Sequence, residues 1–233
     1  MAATRPQASA GRDAPELGFE RLRAEHRRLR STLPEPVRLR THRALSWLER
    51  AGKEQKDVDA RFLFLWIAFN AAYAREIFER DRFSDRRVRM SFLRELIAAD
   101  TGHLLYDAVW HHFPRSIRVF LDNPYVFQPF WDYQTGRITK EEWETRFRLG
   151  KRAATKALGR MDTSKVLAVL FERLYVLRNQ LVHGGATWNS GTNRRQVADG
   201  AEIMGVLVPI VIHLIMHNPG RRWGDPCYPV ISD

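Results

Sequence analysis

The chain has 233 residues, of which 44% are hydrophobic and 28% charged, the balance of a folded globular protein with one domain or one domain and an added arm. This excludes a mainly disordered chain, a fibrous repeat and a disulfide scaffold, and the single cysteine, Cys227, leaves no internal disulfide and no cysteine-based zinc site. Lys+Arg exceed Asp+Glu by 38 to 27, and the resulting +11 points to a polyanionic partner: nucleic acid or an anionic membrane surface.

Met1 to about Ala14 has no apolar stretch of a signal peptide and reads as a disordered leader. Glu16 to Leu33 reads as a charged helix with a sparse apolar stripe of Phe19, Leu22 and Leu29, broken by Pro34 and Pro36. Val37 to Ala51 forms a second helix, with Val37, Ala44, Leu45 and Leu48 at helical spacing. Up to Lys56 there are thirteen Lys/Arg against seven Asp/Glu, so this basic arm carries over half the net charge. Asp57 to about Glu79 predicts a central helix, because Phe62, Leu63, Leu65, Trp66, Phe69 and Tyr73 are apolar almost all round. Ser84 is placed to cap a helix reaching Ala99. Helical pattern resumes over Gly102 to Leu121 with a break near Pro114, and Asn123 to Gly136, with two prolines and five aromatics, reads as an ordered packed loop.

Thr139-Lys-Glu-Glu142 is a capping box that opens a helix to about Leu158. Asp162 or Thr163 opens another, reaching His183, where Gly184-Gly185 ends it as a glycine C-cap. A polar loop, Ala186 to Asn193, leads to a last helix over about Arg194 to His217, and the tail from Pro219 is irregular. With no alternating strand pattern and no internal repeat, the chain predicts an all-α fold, an antiparallel helical bundle with extra N-terminal helices. The expected divisions are a basic extension over 1–56, the bundle over 57–218 and the tail over 219–233. The longest apolar run, Ile203 to Met216, contains Pro209 and is shorter than the roughly 18–20 residues of a membrane span, so a cytoplasmic protein without membrane contact is expected.

The segment that carries chemistry is Leu174-Tyr-Val-Leu-Arg178-Asn179-Gln-Leu-Val-His183-Gly-Gly185. The bare spacing Arg-x4-His is weak, since about one such pair is expected by chance here, and Arg21…His26 also matches it. The second match differs in context: Asn follows the Arg, the helix forms core, and two glycines stop it. At about 100° per residue, Val166, Leu170, Leu174, Leu177 and Leu181 share one core-facing stripe. Asn179 and His183 lie roughly opposite it, one turn apart, with Arg178 on the flank about 140° from His183. Convergence of Arg178 with His183 therefore needs the long Arg side chain and a frayed last turn, or a second copy of the motif from another subunit.

This segment resembles the signature of the HEPN superfamily (higher eukaryotes and prokaryotes nucleotide-binding): Arg, a polar residue, three or more variable residues, then His. The helix Phe62-Leu-Phe-Leu-Trp66-Ile-Ala-Phe-Asn70-Ala-Ala-Tyr73 is also similar to the first core helix of several bacterial HEPN families, and the resemblance spans roughly Asp57 to His217. It implies a four- to five-helix bundle that forms a homodimer with a composite site. It also implies metal-independent endoribonuclease activity without cofactors, often in toxin–antitoxin or phage-defence systems, with an antitoxin or regulatory protein as a further partner. Carried over, His183 would act as general base on the 2′-OH or as acid on the leaving oxygen. Arg178 would hold the scissile phosphate, and Asn179 would orient the histidine or bind the phosphate. RNA would be cut to a 2′,3′-cyclic phosphate. Some HEPN toxins carry a modifiable Tyr two residues after the His; Gly185 stands there and disfavours that subtype.

Trp188, Arg194, Arg195 and Asn70 are further candidates for nucleic-acid contact, although Trp188 also suits pinning its loop and Asn70 a buried hydrogen bond. His111-His112, beside Trp110 and before Pro114, reads as a packed helix end. His213 and His217 have metal-ligand spacing, but no third ligand lies near them in sequence; they read as a core-side and a capping histidine, and no metal is expected. The alternative to an enzyme is a non-catalytic HEPN module that binds nucleic acid or a partner protein. A DNA-binding regulator acting through the arm ranks last, because no helix-turn-helix pattern supports it.

Overall fold

The computed structural model describes residues 17–73, 84–191, 194–226 and 228. The described helices are α1 (Phe19–Leu29), α2 (Glu35–Gly52), α3 (Val58–Tyr73), α4 (Ser84–Ala99), α5 (Leu104–Asp107), α6 (Pro114–Leu121), α7 (Gln128–Gln134), α8 (Lys140–Gly159), α9 (Thr163–Val182) and α10 (Arg194–His217). A π-helical turn, Ala108–His112, follows α5, and a 3-10 turn, Pro124–Val126, precedes α7. No strand occurs among the described residues, so the chain is all-α as its periodicity predicts. The expected leader, the continuation of α3 to Glu79 and Cys227 lie outside the described residues.

Local chemistry sets most of the boundaries. Pro36, which ends the first helical pattern, sits in the first turn of α2, where its missing N–H has no intrahelical acceptor to lose. At the start of α8 the Thr139 hydroxyl accepts from the Glu142 amide and the Glu142 carboxylate accepts from the Thr139 amide, the full capping box. Asp162, not Thr163, caps α9 by accepting from the Lys165 amide at 3.0 Å. One expectation is corrected: part of Asn123–Gly136 is not loop but the seven-residue α7. Pro129 occupies its first turn, so that proline initiates structure instead of breaking it. The segment docks on α9 through Arg173, whose buried guanidinium lies 4.1 Å over the Phe127 ring. Burial pushes the Arg173 pKa down to about 10.

α3 is the centre of the bundle. Phe62, Leu65, Trp66, Ala68, Phe69 and Ala72 are all buried. It runs antiparallel to α9, with Trp66 against Tyr175 and Phe69 stacked on Phe171 at 4.5 Å. α1 and α2 pack into the same core through Leu22, Val37, Ala44, Leu45, Leu48 and Ala51. Arg40 of α2 is fully buried and donates to the carbonyls of Ala72 and Gly224, the latter at 2.9 Å. The irregular residues after α10 are anchored too: Trp223 is buried edge-on to Phe92 and donates to the Asn218 carbonyl at 2.8 Å. Counted over its whole 24 residues, α10 has the length and hydropathy of a membrane span, and 72% of its most apolar window is buried inside the bundle, which is compatible with a soluble protein.

α3, α9 and α10 meet closely at Gly200. A Cβ there would lie 2.9 Å from Leu177 Cδ2 on α9 and 3.1 Å from Phe62 Cε2 on α3. Gly200→Ala is expected to cost about 1–3 kcal/mol by overpacking, read as a lower urea midpoint. Gly159→Ala, where nothing lies within 4 Å of the added carbon, should stay within about 0.5 kcal/mol of the parent.

Candidate functional site

The motif occupies the C-terminal end of α9. Val166, Leu170, Leu174 and Leu177 are buried, as the core stripe predicts, and Leu181 is half-buried. The last turn is regular: the His183 amide donates to the Asn179 carbonyl at 3.0 Å. Gly184 then adopts φ +69°, a left-handed conformation that favours glycine, and the Ala186 amide reaches the Gln180 carbonyl at 3.1 Å. A Cβ on Gly185 would stand 3.3 Å from that same carbonyl oxygen, so the second glycine permits the close return of the chain.

His183 is exposed, and its ring has no hydrogen-bond partner among the described residues. Asn179 and Arg178 are half-buried. Arg178 Nη1 donates to Asn179 Oδ1 at 3.0 Å, while Arg178 Nε is buried without a partner. Within one chain Asn179 therefore holds the guanidinium, not the imidazole. Because the turn is regular, Arg178 and His183 keep their offset of about 140° around the axis. No fraying brings them together. One turn earlier the same side of α9 is covered, since Tyr175 packs on Trp66 and under the Arg89 guanidinium at 4.4 Å.

The loop after His183 is tied to the start of α3. Asp57 accepts from the Ala60 amide and from Trp188 Nε1, both at 2.9 Å. Asp59 is buried and accepts from the Asn189 amide at 2.9 Å and from Arg194 Nη1 at 2.6 Å. Trp188 is thus pinned at its nitrogen yet remains 70% exposed, offering its ring face to solvent. Arg194 has its guanidinium engaged, whereas Arg195 is exposed. Lys56, also exposed, directly precedes Asp57. Asn70 is not near this helix end. It follows Phe69 on α3, level with Phe171, twelve residues of α9 before His183 or about 18 Å. Its Oδ1 is buried without a partner.

Sequence reading missed Tyr125. Its carbonyl accepts from Gln180 Nε2 at 2.6 Å and from Trp131 Nε1 at 2.8 Å, which places this exposed residue within a turn of His183. No local pattern marks it, because Tyr125 and Gln180 are 55 residues apart. It missed Glu25 as well, which joins His213 and His217 from the other end of the chain. Two cavities, of about 320 and 350 Å³, are lined by α6 and α8 and by α1, α2, α3, α5 with its π-helical turn, and α10; neither is lined by Arg178, Asn179 or His183. No protein-family model, curated protein or solved structure matches the chain.

Asp59→Ala should leave Arg194 and the Asn189 amide without their shared acceptor and cost about 2–3 kcal/mol, measured by thermal denaturation. Asp57 is held below the usual carboxylate range, first by the Ala60 amide and then by the Trp188 indole. Its folded pKa lies below the unfolded one, so its contribution is full above the ordinary value of 3.8 and is lost as pH falls through the folded value. The fluorescence difference between the parent and Trp188→Phe should therefore hold constant down to about pH 4 and change only below it.

Proposed function

We propose that the chain is a metal-independent endoribonuclease of the HEPN type, working as a homodimer in which two α9 ends face one another. The observation that carries this reading is the exposed ring of His183, without a partner among the described residues, at a capped helix end one turn from an Arg–Asn pair. The regular last turn supports the dimer. One chain keeps Arg178 and His183 on different sides of the helix, whereas two chains related by a two-fold axis set the arginine of one beside the histidine of the other.

The chemistry follows from those groups. The imidazole of one protomer takes the proton of the ribose 2′-OH, and the 2′-oxygen attacks the adjacent phosphorus. The P–O5′ bond breaks, and the imidazolium of the other protomer protonates the 5′-oxygen. The products are a 2′,3′-cyclic phosphate and a 5′-hydroxyl. Histidine suits both steps because a neutral imidazole accepts a proton and an imidazolium donates one. Arg178, held by Asn179, binds the phosphate with the rest of its guanidinium and stabilises charge in the transition state. Lys56 and Arg195 supply cations beside the helix end. The exposed rings of Trp188 and Tyr125 supply stacking faces for bases.

The purified chain should cleave single-stranded RNA in EDTA. His183→Ala should lower the rate at least 10²-fold with RNA binding retained, by gel assay and filter binding. Full cleavage by His183→Ala defeats the mechanism, and salt-sensitive binding without cleavage by the parent assigns the chain to non-catalytic RNA binding.

A further inference from the structure

At the far end of α10 a second constellation forms from residues distant in sequence. α1 lies against α10 and presents Glu25 to it. Glu25 Oε2 is 3.2 Å from His213 Nδ1 and 3.3 Å from His217 Nε2, and the two imidazole centroids are 4.2 Å apart. All three donor atoms lie within 4.8 Å of one another. An ion bound tetrahedrally at about 2.0–2.1 Å sets its ligand atoms about 3.3–3.4 Å apart. Two edges of such a tetrahedron therefore already have their length, and the third closes by turning His217, which is exposed.

The donor set selects the ion. Two imidazole nitrogens and one carboxylate oxygen suit zinc, which takes His2Glu sets and leaves the fourth position to water. Calcium and magnesium prefer all-oxygen shells. Arg21 Nε approaches the other carboxylate oxygen, Glu25 Oε1, at 3.4 Å, an outer contact that orients the carboxylate and leaves Oε2 to the histidines. Without an ion, two ring nitrogens share that single acceptor oxygen; an ion satisfies all three groups together.

We propose that Glu25, His213 and His217 bind one divalent ion of the zinc class, which staples α1 to the end of α10. The site is separate from the proposed RNA chemistry. His213 is nineteen residues along α10 from Arg194, about 28 Å, and Arg194 marks the end of the bundle where His183 lies. Its consequence is the retention of α1, whose other buried anchors are Leu22 and His26.

The test uses the full chain, stripped with chelator and desalted, then titrated with Zn2+ by calorimetry and with Co2+ by visible absorption. One equivalent should bind with micromolar or tighter affinity. Co2+ should give the intense spectrum of a tetrahedral site, and Zn2+ should raise Tm in a manner that EDTA reverses. His217→Ala, at an exposed position, and Glu25→Gln, which keeps side-chain shape, should each weaken binding at least 10-fold and remove the Tm rise. His111→Ala, at another exposed histidine, should change neither. The proposal is overturned if the parent binds no stoichiometric Zn2+, or if both Glu25→Gln and His217→Ala bind as the parent does. RNA cleavage in EDTA, read below the melting temperature of the stripped protein, reports only on His183, so the two readings fail separately.

Discussion

The carboxylate of Asp59 is the contact on which the geometry of the α9 end depends. It is buried at the start of α3 and receives Arg194 from the start of α10 and the Asn189 amide from the loop between α9 and α10. A buried carboxylate is costly unless paired and hydrogen-bonded. Here both partners come from the chain that returns after His183, so the folded path of that loop and the solvation of Asp59 are one requirement. Asp57 adds the Trp188 tether two residues earlier. Together they hold the loop beside His183 without covering it, and the imidazole stays in solvent.

The same economy governs the core. α3 is apolar on nearly every side, and such a helix is stable only when other helices surround it. α2 covers one side, α9 lies antiparallel through its aromatic contacts, and α10 closes down where Gly200 admits Leu177 and Phe62. The basic N-terminal helices belong to this enclosure through their apolar stripes. Their charge and their packing lie on different faces: Arg21, Arg23, Arg27 and Arg28 are exposed while Leu22 is buried. Arg40 is the exception, spending its charge on backbone carbonyls inside the fold. Part of the +11 is therefore structural, and only the rest is open to a polyanion.

Legibility divided along the range of each signal. The capping box at Thr139, the glycine stop at Gly184 and the α9 stripe are local patterns, governed by contacts within one or two turns, and they read correctly. The α7 segment reads as loop because prolines and aromatics suggest irregular structure, and only docking on Arg173 and α8 reveals a short helix there. His213 and His217 have a recognisable spacing, but their meaning hangs on Glu25, 188 residues away from His213. Asn70 invited grouping with the motif because both sit on core helices. The antiparallel pairing of α3 and α9 sets it at a different level of the bundle.

By itself the amino-acid order determined the fold class, most helix boundaries and the Arg178-Asn179…His183 pattern, because periodicity, caps and glycine stops act over a few residues. Tertiary structure decided which polar groups are spent and which are free. Arg194 and the Trp188 nitrogen are bound by α3, Arg40 is buried, Arg178 is held by its neighbour, and the His183 ring is left in solvent. Those outcomes rest on desolvation and on partners brought from remote segments, and no local pattern encodes either.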